Sequence, residues 1–451
     1  MIRSLVLLSV FIVSYSYGQQ FTTEKRYFDD FAGQSFCATR RRNNENMCCN
    51  SRLDECSVPI AGTLCYCDEF CDQHINPDCC PDYEPVCKGI ISDPIITKCD
   101  IDGVVISEFE EAKVNCNLCK CKAKGVYECE QDECLSDTEL IRDVNSHGSQ
   151  LGWKSYNYTE FYGKKLKEGL TYRLGTFEPR VKVKSMSRLG HNADQLPRHF
   201  NSAQHEDWRG YISEIHDQGW CGSSWAVSTA SVASDRIAIN SKEGQDLSSQ
   251  NLLSCVRHQQ GCTGGHLDNA WRYLNRVGVA DDECYPYEAT VGRCLAKKSD
   301  NLRTMGCSLP ANQRESLYKM GPAYSLNNET DIMWEISTYG PVQATMWVYP
   351  DFFTYRSGIY RKSQFVDQKP KGFHSVRLIG WGEESNGYQT AKYWIAANSW
   401  GRWWGENGFF RIARGANECG IEDYVIAAMA DHHDRKQARR VRSHMKRSNR
   451  A

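Results

Sequence analysis

The chain has 451 residues and a formal net charge of −2 at neutral pH. A single hydrophobic core rarely grows past roughly 250–300 residues, so one compact domain is excluded and several are expected. The small charge imbalance argues against nucleic acid as the main partner.

The first predicted element is a leader. Arg3 precedes the apolar run Leu5–Val13, and the small residues Ser16 and Gly18 follow. This charged, apolar, small-residue order reads as a signal peptide over residues 1–18. The run is too short to span a bilayer comfortably, and no later stretch of about 18 apolar residues follows. A secreted, extracellular protein without a transmembrane segment is therefore expected. Of the 23 cysteines, 16 fall between Cys37 and Cys134, a density that a secreted chain uses for disulfides. Free thiolates for zinc are not expected in an oxidising compartment, so neither a metal nor another cofactor is predicted.

Residues 33–90 carry ten of these cysteines and few large aliphatic side chains. A segment this short buries little core, so cross-links must supply its stability, each worth roughly 2–4 kcal/mol. Cys65-Tyr-Cys67, Cys71, Cys79-Cys80-Pro-Asp82 and Cys87 resemble the somatomedin B module. That family's modules bind other extracellular proteins. At the front end, Cys48-Cys49 and Cys56 make ten cysteines where the usual module has eight, which leaves the connectivity open. Residues 95–135 hold Cys99, Cys116, Cys119, Cys121, Cys129 and Cys134, an order similar to a shortened von Willebrand factor type C repeat.

Between residues 136 and 196 the composition changes. Thr138–Val144 has helical patterning, and Trp153, Tyr156, Tyr158, Phe161 and Tyr162 are too many aromatics for an unstructured linker. The stretch from Trp153 to Tyr172-Arg-Leu-Gly-Thr176 resembles the propeptide of cathepsin B. Asn157 and Asn328 each open an Asn-X-Thr glycosylation acceptor.

Residues 197–430 form the large domain. In Asp217-Gln-Gly-Trp-Cys-Gly-Ser-Ser224-Trp-Ala, two glycines suit a tight turn that feeds a helix rich in good formers from Ser228 to Ile239. A helix N-terminus stabilises an anion, which is how a nucleophilic cysteine acquires a depressed pKa. Ser224 stands at that point, and Gln218 is placed to complete an oxyanion hole. Downstream, Gly372-Phe-His374 opens a buried strand that reads as ending in a turn at Gly380–Gly382. Asn398 follows a second apolar strand. A nucleophile position, a histidine and an asparagine in that order form a papain-type constellation.

With Gly261-Cys-Thr-Gly-Gly265, Asn398-Ser-Trp400-Gly and Asn417-Glu-Cys-Gly-Ile-Glu422, residues 197–430 resemble the papain family, and cathepsin B within it. The resemblance implies an α+β fold: a papain-like two-lobed domain with a helical left lobe and a β-barrel-like right lobe, preceded by small disulfide-rich modules. It implies a peptide groove at Gly264, Gly265 and Trp400. It also implies disulfides Cys221–Cys262, Cys255–Cys294 and Cys284–Cys307, with Cys419 the odd, buried cysteine. The family's nucleophile is a cysteine where this chain has Ser224. A hydroxyl has too high a pKa to enter a thiolate–imidazolium pair, and losing a triad nucleophile can cost about 10⁶ in turnover. Cathepsin B's occluding loop has a histidine pair, but Cys284–Cys307 has no histidine.

Together with the somatomedin B-like module, the pattern resembles the tubulointerstitial nephritis antigen family of extracellular-matrix glycoproteins. It implies a catalytically inactive papain-like protein that binds matrix or cell-surface proteins. An active hydrolase using Ser224 and a secreted decoy that sequesters peptides or inhibitors are the alternatives. The pro-like segment is expected to stay attached and cover the cleft. Residues 431–451 form a tail with eight Lys or Arg from Arg435 to Arg450, a solvated end or a contact for anionic polysaccharide.

Overall fold

The computed structural model describes residues 34–39, 41–42, 45–46, 48–51, 54–60, 62–72, 78–89, 98–179, 196–296, 301–303, 305, 307, 316–326, 328–385 and 390–430. The leader and the basic tail lie outside these residues. The chain divides into two compact units, one comprising residues 1–98 with 123–125, the other residues 99–122 with 126–451.

The first unit contains two short hairpins, β1 (Arg41–Arg42) with β2 (Glu45–Asn46) and β3 (Ser57–Ile60) with β4 (Thr63–Tyr66), and the helix α1 (Tyr83–Cys87). Among the described residues its buried apolar core is Val58, Ile60 and Tyr83 set among buried half-cystines, with Phe36 and Val86 packed against it. Five disulfides supply the rest: Cys37–Cys67, Cys48–Cys87, Cys49–Cys56, Cys65–Cys80 and Cys71–Cys79. Of the three front-end cysteines, Cys49 and Cys56 close a local loop, while Cys48 reaches Cys87. Asp82, after the vicinal cysteines, is nearly buried, and its carboxylate accepts hydrogen bonds from the backbone N–H groups of Phe36, Cys37 and Ala38 at 2.7, 2.9 and 3.1 Å. A carboxylate that collects backbone donors in this way is strongly held.

The second unit opens with β5 (Lys98–Ile101) paired with β6 (Val104–Ser107), then the sheet β7 (Glu111–Val114), β8 (Asn117–Cys121) and β9 (Tyr127–Cys129). Cys99–Cys121, Cys116–Cys134 and Cys119–Cys129 close it. Helix α2 (Thr138–Ser146) follows, capped by Asp137, whose side chain accepts from the N–H groups of Glu139 and Leu140. A single turn, α3 (Gly148–Leu151), leads into β10 (Trp153–Ser155), and α4 (Leu166–Tyr172) comes after it.

The aromatic segment forms part of the main core. β10 pairs antiparallel with β14 (Tyr355–Tyr360), and Trp153, Tyr158 and Phe161 are buried while Tyr156 and Tyr162 remain exposed. The remaining strands are β11 (Phe200–Asn201), β12 (Met320–Leu326), β13 (Val342–Val348), β15 (Gly372–Ser385), β16 (Thr390–Ala397), β17 (Phe409–Ala413) and β18 (Val425–Ala430). The sheet order is β10-β14-β17-β16-β15-β13-β18-β12, with β11 added on β15.

β15 does not turn at Gly380–Gly382 as its sequence suggests; it runs on to Ser385. A Cβ at Gly380 would lie 2.1 Å from the Phe200 carbonyl, and one at Gly382 would lie 2.3 Å from the Tyr393 hydroxyl. The glycines admit a neighbouring strand and a ring, and the register shifts between Leu378 and Gly380.

Helices α5 (Ser224–Ser241), α6 (Ser249–Cys255) and α7 (Leu267–Arg276) build the other lobe, and α8 (Glu329–Tyr339) packs on the sheet. All residues of α5 from Ser224 to Ala238 are buried, although many are serines. Small side chains let neighbours approach from all sides, and Ser228, Thr229 and Ser234 return their hydroxyls to the carbonyls four residues back. Two buried ion pairs, Arg377–Asp235 at 2.7 Å and Arg236–Glu335 at 2.7 Å, fix α5 against the sheet lobe.

Candidate active-site cleft

The cleft starts from a constrained loop. Cys221 is joined to Cys262, and the Gly222 N–H donates to the Cys262 carbonyl at 2.7 Å, so the turn before α5 is tied to the Gly261–Gly265 loop. Ser224 is the first residue of α5 and is completely buried. Gln218 lies below it. The Ser399 hydroxyl donates to the Gln218 Oε1 at 2.6 Å, which turns the Gln218 amide nitrogen toward the cleft.

His374 lies on β15 and Asn398 just beyond β16, with 2.8 Å between His374 Nε2 and Asn398 Oδ1. The Trp400 ring covers them, its centroid 5.3 Å from that of His374. Burial pushes the His374 pKa down to about 4, against a smaller upward pull from Asn398, so the imidazole is neutral at physiological pH. Its Nδ1 is buried and makes no hydrogen bond to any described residue.

The Ser224 hydroxyl is engaged elsewhere. Its Oγ is 2.8 Å from Thr176 Oγ1, which is 2.6 Å from Ser375 Oγ. Ser375 Oγ is in turn 2.9 Å from Ser228 Oγ, which accepts from the Gln343 amide. This chain of hydroxyls runs from the cleft into the core and bypasses His374. Thr176 belongs to the aromatic-rich segment upstream, and that segment fills the cleft.

The Leu174 carbonyl accepts from Gln218 Nε2 at 2.9 Å and from the Ser224 N–H at 3.3 Å. These are the donors expected to form an oxyanion hole, and a backbone carbonyl of the same chain occupies them. The Gly265 N–H donates to the Gly175 carbonyl, and the Phe177 N–H donates to the Gly265 carbonyl, both at 2.9 Å. A Cβ on Gly175 would stand 2.0 Å from the Gly222 carbonyl oxygen, and Gly175 itself has φ +115°, so only glycine passes there. Gly264 faces the Phe177 ring in the same close way.

Arg173 anchors the segment. Its guanidinium donates to Asp217 at 2.8 Å and lies 4.8 Å from the Trp220 ring centroid and 5.4 Å from that of Trp403. Its carbonyl accepts from the Trp400 indole N–H at 2.5 Å. Arg173, Thr176, Ser375 and Tyr287 were not evident as site residues from sequence. Tyr287 donates to the Gln218 carbonyl at 2.9 Å and lies 2.6 Å from Ser223 Oγ, so it braces the turn. Arg173 and Thr176 lie in the Tyr172–Thr176 stretch that resembles a propeptide, and Ser375 follows His374, but nothing local to these positions or to Tyr287 marks their contacts in the cleft.

The structure joins Cys255 to Cys294 and Cys284 to Cys307. Cys419 is free, but it is half-buried, not buried as expected. It sits in a left-handed turn at φ +52° and packs against the main core, which encloses it only in part. Asn157 is exposed; Asn328 is half-buried, and its side chain caps α8 by accepting from the Asp331 N–H. The sulfurs of Cys37, Cys67 and Cys80 cluster, but all are in disulfides and none is a thiolate available to a metal.

A helical lobe and a sheet lobe that meet at a cleft, with a serine at a helix N-terminus, a histidine–asparagine pair and a glutamine amide, define a papain-type scaffold. Residues 197–429 match the family model of papain family cysteine proteases, and the chain belongs to that family. It is 42% identical over 423 residues to the mouse protein named tubulointerstitial nephritis antigen-like, covering 88% of each chain. It is 41% identical over 411 residues to human tubulointerstitial nephritis antigen, covering 84% of this chain and 85% of the relative. Among solved structures it resembles procathepsin B S9 of Trypanosoma congolense, with a TM-score of 0.55 and 30% identity over 66% of this chain and 99% of that one.

Proposed function

We propose that this protein is a non-proteolytic, extracellular binding or adhesion protein whose peptide cleft is filled by its own residues Arg173–Phe177. The carrying observation is the Leu174 carbonyl on the oxyanion donors, with Ser224 bonded to Thr176 and not to His374. A hydroxyl needs a general base to become a nucleophile, and the neutral His374 is not hydrogen-bonded to it. The match to proteins named as antigens, over far more of the chain than residues 197–429, supports a role in which the modules before the papain domain take part.

In this reading residues 1–18 are a cleaved leader, and residues 33–90 and 95–135 are somatomedin B-like and von Willebrand factor C-like modules. They engage matrix or cell-surface proteins. Residues 136–196 remain attached, because an inactive domain does not process itself. Asn157 carries a glycan, as does Asn328, and residues 431–451 form a basic tail. Eleven disulfides fit an oxidising compartment, and among the described residues no helix is long and apolar enough to cross a membrane.

Purified secreted protein is expected to cleave no peptide from about pH 4 to pH 8, the range in which a histidine base titrates. Turnover that vanishes in Ser224→Ala would establish the hydrolase reading instead. An immobilised extracellular-matrix extract is expected to retain wild type and Ser224→Ala equally. Absence of retention would remove the adhesion role without touching the inactivity.

A further inference from the structure

On the flank of the helical lobe lies a cavity of about 580 Å³ that the cleft does not use. This is within the usual size of a small-ligand site. α7 explains how it forms. Leu267, Ala270, Trp271 and Leu274 point into the core, while Asn269, Arg272, Tyr273 and Arg276 make the opposite stripe at helical spacing. The loop after α6 faces this stripe with Arg257 and His258, the latter held at φ +63°. The Cys255–Cys294 disulfide closes one wall, and Val256 and Val277 supply apolar surface.

The charge in this cavity is one-sided. Arg257, Arg272 and Arg276 line it, and among the described residues no carboxylate does. Arg272 donates to Asp268 at 3.0 Å and to the lining Asn269 at 3.1 Å. No carboxylate among the described residues lies within ion-pair distance of Arg257 or Arg276. The helix dipole accounts for Arg276 in the last turn of α7, but not for Arg257 brought to face it from another element. Two exposed arginines that line one cavity from different elements, with no carboxylate partner among the described residues, offer an external oxyanion charge-assisted hydrogen bonds.

We infer that this cavity binds a sulfated saccharide, with Arg257 and Arg276 on its sulfate groups and the Tyr273 ring against the apolar face of a sugar. The apolar wall separates this ligand from a bare anion, which would use only the guanidinium groups. The choice of sulfate over phosphate rests on the extracellular reading above; the cavity itself does not.

The test titrates the full-length protein calorimetrically with a heparin-derived tetrasaccharide, the same tetrasaccharide after desulfation, and inorganic phosphate. The sulfated sugar should bind, and Arg257→Ala and Arg276→Ala should each weaken it about tenfold, the scale of a lost charge-assisted hydrogen bond. Both side chains are exposed, so thermal unfolding should not change. The basic tail is controlled by converting its eight Lys and Arg to Gln in the full chain. In that background the loss on Arg257→Ala/Arg276→Ala should persist. Equal affinity of wild type and the double variant overturns the inference, as does disappearance of all binding on tail neutralisation alone. Phosphate or the desulfated sugar binding as tightly as the sulfated one overturns the sulfated-saccharide assignment. Peptide turnover measured on the same preparations tests the inactivity separately, because neither arginine lines the cleft.

Discussion

At the scale of single residues, the cleft has a serine at the nucleophile position and is occupied by the chain's own Leu174 carbonyl and Thr176 hydroxyl. Replacing the serine oxygen by sulfur adds little volume, so Ser224→Cys should fold, with the new thiol at the N-terminus of α5 where its thiolate is favoured. The Leu174 carbonyl and the Thr176 hydroxyl still fill the site, so in the intact chain an electrophilic peptide should label the variant slowly. Adding Gly175→Ala drives a Cβ against the Gly222 carbonyl and displaces the segment. The double variant should label at least about tenfold faster, the equivalent of about 1.4 kcal/mol of relieved occupancy. Mass spectrometry of the labelled peptide reads this out; equal rates would mean that the segment is no barrier. His374 supplies a second test. Its folded pKa of about 4 lies below its ordinary value, so between the two the unfolded chain binds more protons. Its stabilisation is complete above about pH 6.5 and is lost as pH falls toward 4, a loss on the order of 3 kcal/mol. His374→Gln should flatten that part of the denaturant-midpoint profile between about pH 6.5 and pH 4. The half-buried His216, also shifted down by desolvation and by Arg377, keeps some slope.

At the scale of elements, β10 joins the pro-like segment to the sheet. Trp153 is buried in the main core, 5.2 Å from the Tyr360 ring centroid, and its backbone pairs with Gly358. Trp153→Ala should therefore cost about 3–5 kcal/mol, as large-to-small changes of buried aromatics do. Chemical denaturation followed by tryptophan fluorescence measures it. A loss below about 1 kcal/mol would mean that the segment is only loosely laid on the domain. The same fact bears on how the cleft is to be opened. A chain begun near Leu196 would lack β10 as well as the occupying residues, so the single Gly175 substitution is the cleaner probe. Helix α2 and the N-terminus of α5 were both legible, because the former has helical patterning and the latter a glycine-flanked turn. The end of β15 was not legible, since Gly380 and Gly382 signal a turn by composition while serving close approach by a strand and a ring.

At the scale of the whole molecule, cross-links divide the labour with the cores. The first unit has few buried aliphatic side chains, so its oxidised form should be a cooperative fold, with dispersed amide resonances for a fragment of residues 34–89. Reduction should abolish that dispersion, each bridge contributing roughly 2–4 kcal/mol. Retained dispersion after reduction would show a stronger core than the side chains suggest. The 22 other cysteines are paired, so thiol labelling of the denatured, unreduced protein should find one equivalent, at Cys419. Burial first, then Glu418 and Asp351, pushes that thiol well above its ordinary pKa, so native labelling should be slow.

The amino-acid order alone carried the leader-like run, the clustered cysteines, the papain-type motifs and the serine in the nucleophile position. Each is a short-range pattern of residue types that survives without coordinates. Cysteine spacing left the pairing of Cys48, Cys49 and Cys56 open, because spacing limits but does not select connectivity. Only the tertiary structure decided where the Ser224 hydroxyl and the oxyanion donors are spent. Thr176 and Leu174 lie 48 and 44 residues before their partners Ser224 and Gln218, and Ser375 lies 199 residues beyond Thr176. Hydrogen bonds over such separations follow from packing a segment into a cleft, and neither periodicity nor local propensity carries that information. The same holds for Arg257 and Arg276, which become one cavity only when the loop after α6 folds back on α7.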